Sequence, residues 1–452
     1  MKKYKASGFL THLFVSYVLF ISILILLGSG FDRIESYLVA FCSASLSIVY
    51  LCYQFRRFFG FNILIVGIFG FCTKLLIGYM FWQFYMWPDY FSNQNSIMVF
   101  DHYEYLFTPR SMERIADYRI INGFFSVPLG QVVFQGKYFF INYVMSNLFM
   151  SGNVNLLDFS IQSALFSFYT AIIISLIGIR LGCTKRQAKL IFIIALFQPF
   201  SFNSAMIWRD VVGQFFVFMG VYLILLSSEA KIMKAIILLF ISALLMAVLR
   251  TAYIFIPFFL YSVRYLREGI SSVKTSITFL TLSVLGLFVI SSTNLTAFVG
   301  AGYSSYLAEA ANLKFILLLP IDFLRAVIGP FPWINWFEFT DNTIFLISNY
   351  FQAVYIVVIL FFTVRYYKLY NNDFKFYLIL LCFIFLTMSV TGREIHSNYF
   401  SFAIALLLPI SIRYLSIKRF VVSYIVVFYG FIVLNIIYLS LGFHGSSLGA
   451  NL

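Results

Sequence analysis

The chain is predicted to be all-α, a polytopic transmembrane protein of about thirteen spans with amphipathic outer-surface helices in two long outer loops. Three observations predict it. The residues are 62% hydrophobic and only 11% charged, far from the balance of a water-soluble domain. Apolar stretches of about 20 residues, the length a helix needs to cross the hydrocarbon layer, alternate with short polar breaks. Every second break is rich in Lys and Arg. Threaded from a cytoplasmic N-terminus (Lys2, Lys3, Lys5), about two thirds of the 31 basic residues fall on the cytoplasmic side, and most of the 17 acidic residues fall outside. That bias sets topology, so the net charge of +14 is no sign of a nucleic-acid partner.

The predicted spans are 9–28, 35–54, 61–83, 158–180, 188–207, 211–228, 233–249, 252–266, 273–292, 344–366, 374–392, 398–415 and 420–441. The first follows a Lys-rich start but is too long, and too poor in small cleavage-site residues, for a signal peptide, so it is expected to be retained. The inward breaks carry Arg56-Arg57, Lys185-Arg186 with Lys189, Lys231 with Lys234, Arg264 with Arg267, Arg365 with Lys368 and Lys375, and Arg413 with Lys418-Arg419. An odd number of spans keeps them all inside and sends the C-terminus outward. The spans fill most of the sequence, which predicts a single integral membrane domain over 1–452. Cys42, Cys52, Cys72, Cys183 and Cys382 fall in spans or at their cytoplasmic ends, which predicts neither a disulfide framework nor a metal site. There is no phosphate-binding Gly-rich loop and no zinc-protease motif, and no cofactor is expected.

Two outer segments, about 84–157 and 293–343, are too long for simple connections and too apolar for disorder. In the first, Pro128 to Met150 is nearly a span; if it crossed, every later basic break would face outward, so an amphipathic or re-entrant surface helix is expected. In the second, Lys314 to Val327 is an apolar helix interrupted by Pro320, running into Gly329-Pro330-Phe331-Pro332-Trp333 at the outer interface.

Threading also gathers polar residues outside. The first loop holds Asp89, Asp101-His102-Tyr103-Glu104, Arg110, Glu113, Arg114, Asp117 and Arg119. Trp208-Arg209-Asp210 forms a tight outward turn, Arg250 ends the seventh span, Asp322 and Arg325 sit one turn apart, and Arg393-Glu394 with His396 fills another turn. Singly, each has an ordinary reading: arginines snorkelling to the headgroups, Asp210 as an N-cap, a surface ion pair at Asp322 and Arg325, a hydrogen-bonded His396. Together, arginines in four separate outward places run against the charge bias, as they would if something anionic required them. Guanidinium is a planar, permanently charged fork that matches phosphate oxygens. Neighbouring carboxylates could then act as base for an incoming hydroxyl. Trp87, Tyr90, Trp333 and Trp336 could stack on sugar rings or form an interfacial aromatic belt.

This pattern resembles the bacterial O-antigen and capsule repeat-unit polymerases (Wzy-type) and, more broadly, the GT-C membrane glycosyltransferases that use polyprenyl-linked donors. The resemblance rests on the first long loop with Asp89 or Asp101 near its start, Pro128 to Met150, the span beginning near Asp158, Trp208-Arg209-Asp210, the Arg325 to Trp333 segment and Arg393. It covers nearly the whole chain as topology and short motifs. It implies a GT-C-like fold and an enzyme of the bacterial inner membrane, with its active face in the periplasm. The implied reaction transfers a glycan from undecaprenyl pyrophosphate to another lipid-linked repeat. The resemblance assigns Arg209, Arg250, Arg325 and Arg393 to the pyrophosphate, and Asp89, Asp101, Glu394 or His396 as base. It implies the lipid-linked oligosaccharide and the bilayer as partners, with a chain-length regulator and a flippase of the same pathway. GT-C enzymes with monosaccharide donors often carry adjacent acidic residues in the first loop, whereas Asp89 stands between Pro88 and Tyr90. The alternatives are a GT-C transferase with a polyprenyl-phosphate sugar donor, and a flippase or ligase of lipid-linked glycan. A flippase should carry buried charge along its spans, and Lys74 is the one clear intramembrane charge.

Overall fold

The computed structural model describes residues 7–28, 33–60, 62–81, 156–199, 209–227, 232–249, 343–366 and 416–441, with the isolated positions 230, 257 and 408. Among the described residues there are nine α-helices and no strand: α1 (Ser7–Gly28), α2 (Arg33–Phe59), α3 (Asn62–Phe81), α4 (Leu156–Arg180), α5 (Lys185–Leu196), α6 (Arg209–Ser227), α7 (Ile232–Leu249), α8 (Thr343–Tyr366) and α9 (Ile417–Ser440). Leu38–Phe59, Ile161–Arg180 and Ile417–Ser440 are long and apolar enough to cross a membrane, and five shorter apolar helical segments accompany them. These are the helices of a membrane protein, whose backbone polar groups are satisfied within each helix as hydrocarbon demands.

Eight helices begin and end within a few residues of a predicted span. The fifth span, expected over 188–207, is different. Helix α5 starts at Lys185 because Thr184 and Gln187 form a capping box: the Gln187 N–H donates to Thr184 Oγ1 at 3.3 Å, and the Thr184 N–H donates to Gln187 Oε1 at 2.8 Å. It stops at Leu196 because Pro199 disfavours helical geometry at Gln198, leaving Phe197 to cap the end. Twelve residues rise only about 18 Å, short of the roughly 30 Å of hydrocarbon, so this segment is no single uninterrupted span. The spans expected at 252–266, 273–292, 374–392 and 398–415 lie outside the described residues apart from Pro257 and Leu408. So do Pro128 to Met150, Lys314 to Val327 and the two long loops, except that Leu156 and Leu157 already belong to α4 and Thr343 to α8.

By internal packing the chain forms two units, Met1–Ile172 with Ser201–Val217 and Leu244–Thr251, and Ile173–Phe200 with Phe218–Ala243 and Ala252–Leu452. In the first, α1 packs on α2 and α2 on α3. Gly60, at φ 79°, ends α2 by donating its N–H to Arg56 O at 2.8 Å, a left-handed cap that a side chain would strain. A Cβ on Gly67 would come within 2.9 Å of Phe168 Cε2, so α3 meets the rings of α4 closely there. Phe166 of α4 packs against Tyr17 of α1 at 5.3 Å and Phe215 of α6 at 5.0 Å between ring centroids.

In the second unit, tyrosine hydroxyls are spent on main-chain carbonyls. Tyr355 of α8 donates to Ile194 O of α5 at 2.7 Å, Tyr424 of α9 to Phe351 O at 3.1 Å, and Tyr350 to Phe428 O at 3.3 Å. Phe351 stacks on Phe428, centroids 5.4 Å apart and planes 8° from parallel, which fixes the α8 and α9 seam. Ser242 of α7 donates to Gly220 O of α6 at 2.9 Å. Gly182, at φ 85°, ends α4, and the Cys183 N–H returns to Gly178 O at 2.9 Å in the manner of a Schellman cap.

Candidate functional site

The polar centre of the first unit is built on α4. Gln162, Ser163, Ser167 and Tyr169 are buried there, where lipid would leave a polar group unsatisfied. The spacing explains the grouping: Gln162 and Tyr169 are seven residues apart on one face of α4 and both meet α1. Tyr17 donates to Gln162 Oε1 at 2.9 Å, and the Tyr169 hydroxyl lies 2.9 Å from Ser16 Oγ. Ser16 and Ser47 bond each other's main chains, Ser16 Oγ to Ser47 O at 3.2 Å and Ser47 Oγ to Ser16 O at 2.9 Å. Ser43 Oγ adds a bond to Phe20 O at 2.7 Å. These bonds fix the seams of α1 with α2 and α4.

Lys74 is of another kind. It lies on α3 with no exposed surface and donates from Nζ to Ser167 Oγ of α4 at 2.6 Å. An ammonium has three protons to place, and among the described residues this is its one hydrogen bond, with no carboxylate in ion-pair range. Taking such a charge out of water costs several kcal/mol unless it is compensated. An ionisable group held at that cost inside a membrane protein is a reason to look for function.

Of the residues expected to form the outer site, the structure describes the backbone of Arg209 alone. It is the first residue of α6, at the end where unsatisfied main-chain N–H groups and the helix dipole favour an anion. Asp89, Asp101, Glu394, His396, Arg250, Arg325, Arg393, Trp87, Tyr90, Trp333 and Trp336 lie outside the described residues. Among the described residues no three His, Cys, Asp or Glu side chains converge to hold a metal ion.

No family model, no curated protein and no solved structure matches the chain. The chemistry of its own residues therefore carries the functional reading. Sequence reasoning picked out Lys74 but passed over Ser16, Tyr17, Ser47, Gln162 and Tyr169. The available signal was a Gln and a Tyr at heptad spacing within an apolar run.

Proposed function

We propose that the chain is a membrane glycosyltransferase that polymerises oligosaccharide repeats carried on undecaprenyl pyrophosphate, at the periplasmic face of the bacterial inner membrane. The observation that carries this reading is that Arg209 opens α6, a helix whose N-terminus suits a phosphate; the sequence reading puts it outside, against the positive-inside bias. In this reading Arg250, Arg325 and Arg393 join it around the donor pyrophosphate. A carboxylate, Asp89 first and Asp101 or Glu394 next, or else His396, removes the proton from the acceptor hydroxyl. The hydroxyl oxygen bonds to the anomeric carbon as the carbon–oxygen bond to pyrophosphate breaks, and the arginines take up the charge on the leaving group. Chain-length regulator and flippase are the expected neighbours in the pathway.

A specific observation favours a second reading, translocation of the same lipid-linked glycan: Lys74 is wholly buried on the apolar helix α3. Gel analysis of surface polysaccharide after deletion of the gene separates the two. Loss of the ladder with one capped repeat retained supports polymerisation, and loss of all repeats supports translocation or ligation. Within the first reading, Arg209→Ala at matched protein level is expected to cut elongation by about 10²–10³, with poor rescue by Arg209→Lys. A normal ladder from Arg209→Ala would remove it from the site. Asp89→Asn with wild-type elongation, beside loss in Glu394→Gln or His396→Ala, would move the base to the later outward turn.

A further inference from the structure

We propose that Lys74 and Ser167 form an intramembrane site for a phosphate anion. The two residues are buried on facing helices, Nζ to Oγ at 2.6 Å, and among the described residues neither makes another hydrogen bond. Two ammonium protons and the Ser167 hydroxyl proton are therefore left to donate, around a compact positive charge. Three donors about one cation match a ligand with several acceptor oxygens, and Lys binds phosphate as a point charge. The neighbouring cluster of Ser16, Ser47 and Tyr169 is closed by mutual bonds and offers no such surplus. Asp158, nine residues before Ser167 on α4, is roughly 13.5 Å away along the helix axis.

The depth narrows the source. Lys74 lies about 18 Å along α3 from Asn62, and Ser167 about 16.5 Å along α4 from Leu156, so the pair sits well inside both helices. An anion reaching that depth travels with an apolar carrier or enters from water between the helices, and the shared chemistry is phosphate. The site as proposed uses Lys74 and Ser167 and none of the residues assigned to the outer reaction, so its binding test is read separately from chain elongation.

The test uses the full-length protein in nanodiscs of phosphatidylcholine, with phosphatidic acid added as the lipid-borne probe and inorganic phosphate as the water-borne one. Binding is read as the rise in thermal midpoint with probe concentration. Phosphatidic acid is expected to stabilise the wild type, with apparent affinity reduced roughly ten- to a hundredfold in Lys74→Met, the effect of losing a charged hydrogen-bond donor. Stabilisation by inorganic phosphate with the same Lys74 dependence would keep the site and assign it a water-borne anion. Ser167→Ala, a smaller change, is expected to weaken the response less and serves if Lys74→Met fails to insert. An unchanged midpoint for the wild type with both probes, or a response that persists equally in Lys74→Met and Ser167→Ala, would overturn the site.

Discussion

Helices α4 and α9 are both long enough and apolar enough to cross a membrane, yet they live in different surroundings. Every residue of the most apolar window in α4 is buried, against 17% in α9. The buried helix carries Gln162, Ser163, Ser167, Thr170 and Ser175 in its interior, whereas α9 turns Val421, Val422, Ile425, Val426, Val433 and Leu434 outward. In water the polar helix would face out. In lipid the order reverses, because hydrocarbon tails cover Val and Ile at no cost while a hydroxyl or amide must find its bond inside the protein. The contrast marks α4 as the helix on which internal polar chemistry is built, and α9 as an exposed apolar helix joined to α8 along an aromatic seam, the surface expected to meet lipid.

The sharpest way to break the contrast is to add bulk. A Cβ on Gly178 of α4 would lie 2.5 Å from Ile191 Cδ1, whereas nothing lies within 4 Å of a Cβ on Gly430 of α9. Gly178→Leu is expected to destabilise by about 1–3 kcal/mol through overpacking, read as a lower midpoint in thermal unfolding of the purified protein. Equal midpoints for Gly178→Leu and wild type would show that the end of α4 packs loosely. Removal of one internal hydrogen bond comes next. Tyr169→Phe deletes the hydroxyl that meets Ser16 and is expected to cost about 0.5–1.5 kcal/mol. The matched change Tyr429→Phe, on an exposed tyrosine of α9, is expected to leave the midpoint in place. The smallest effect belongs to Gly430→Leu: neutral, or stabilising by up to about 1 kcal/mol because a helix interior disfavours glycine. A clear loss there would mean that α9 is covered by protein rather than lipid.

Much of this architecture was legible in the sequence. Apolar runs located α1 to α4 and α6 to α9, because span length is imposed by the bilayer and does not depend on which helices meet. Basic pairs such as Arg56-Arg57 and single residues such as Arg365 fall in last turns, where the helix dipole also favours them. The break at Phe197 was missed because hydropathy passes smoothly over it; Pro199 and the Thr184 to Gln187 capping box were the local signs. Which helix is interior was legible only in part. Gln162 at seven residues from Tyr169 marks a polar face, but its partners Tyr17 and Ser16 are some 145 and 153 residues away in sequence and follow from tertiary packing alone. Lys74 stood out as an intramembrane charge, while its pairing with Ser167 could not be read from spacing. The outer residues from Asp89 to His396 were grouped by topology, and of these the structure supplies a helix position for Arg209 and its neighbour Asp210.

The claim that α4 is interior and α9 faces lipid is tested most directly by labelling with a maleimide dissolved in the bilayer. Single cysteines at Ala164→Cys, fully buried on α4, and Val426→Cys, 65% exposed on α9, are compared in a cysteine-free background at equal protein level. The account predicts rapid labelling at position 426 and protection at 164 until the protein is denatured. Equal labelling of the two in the folded protein would contradict it.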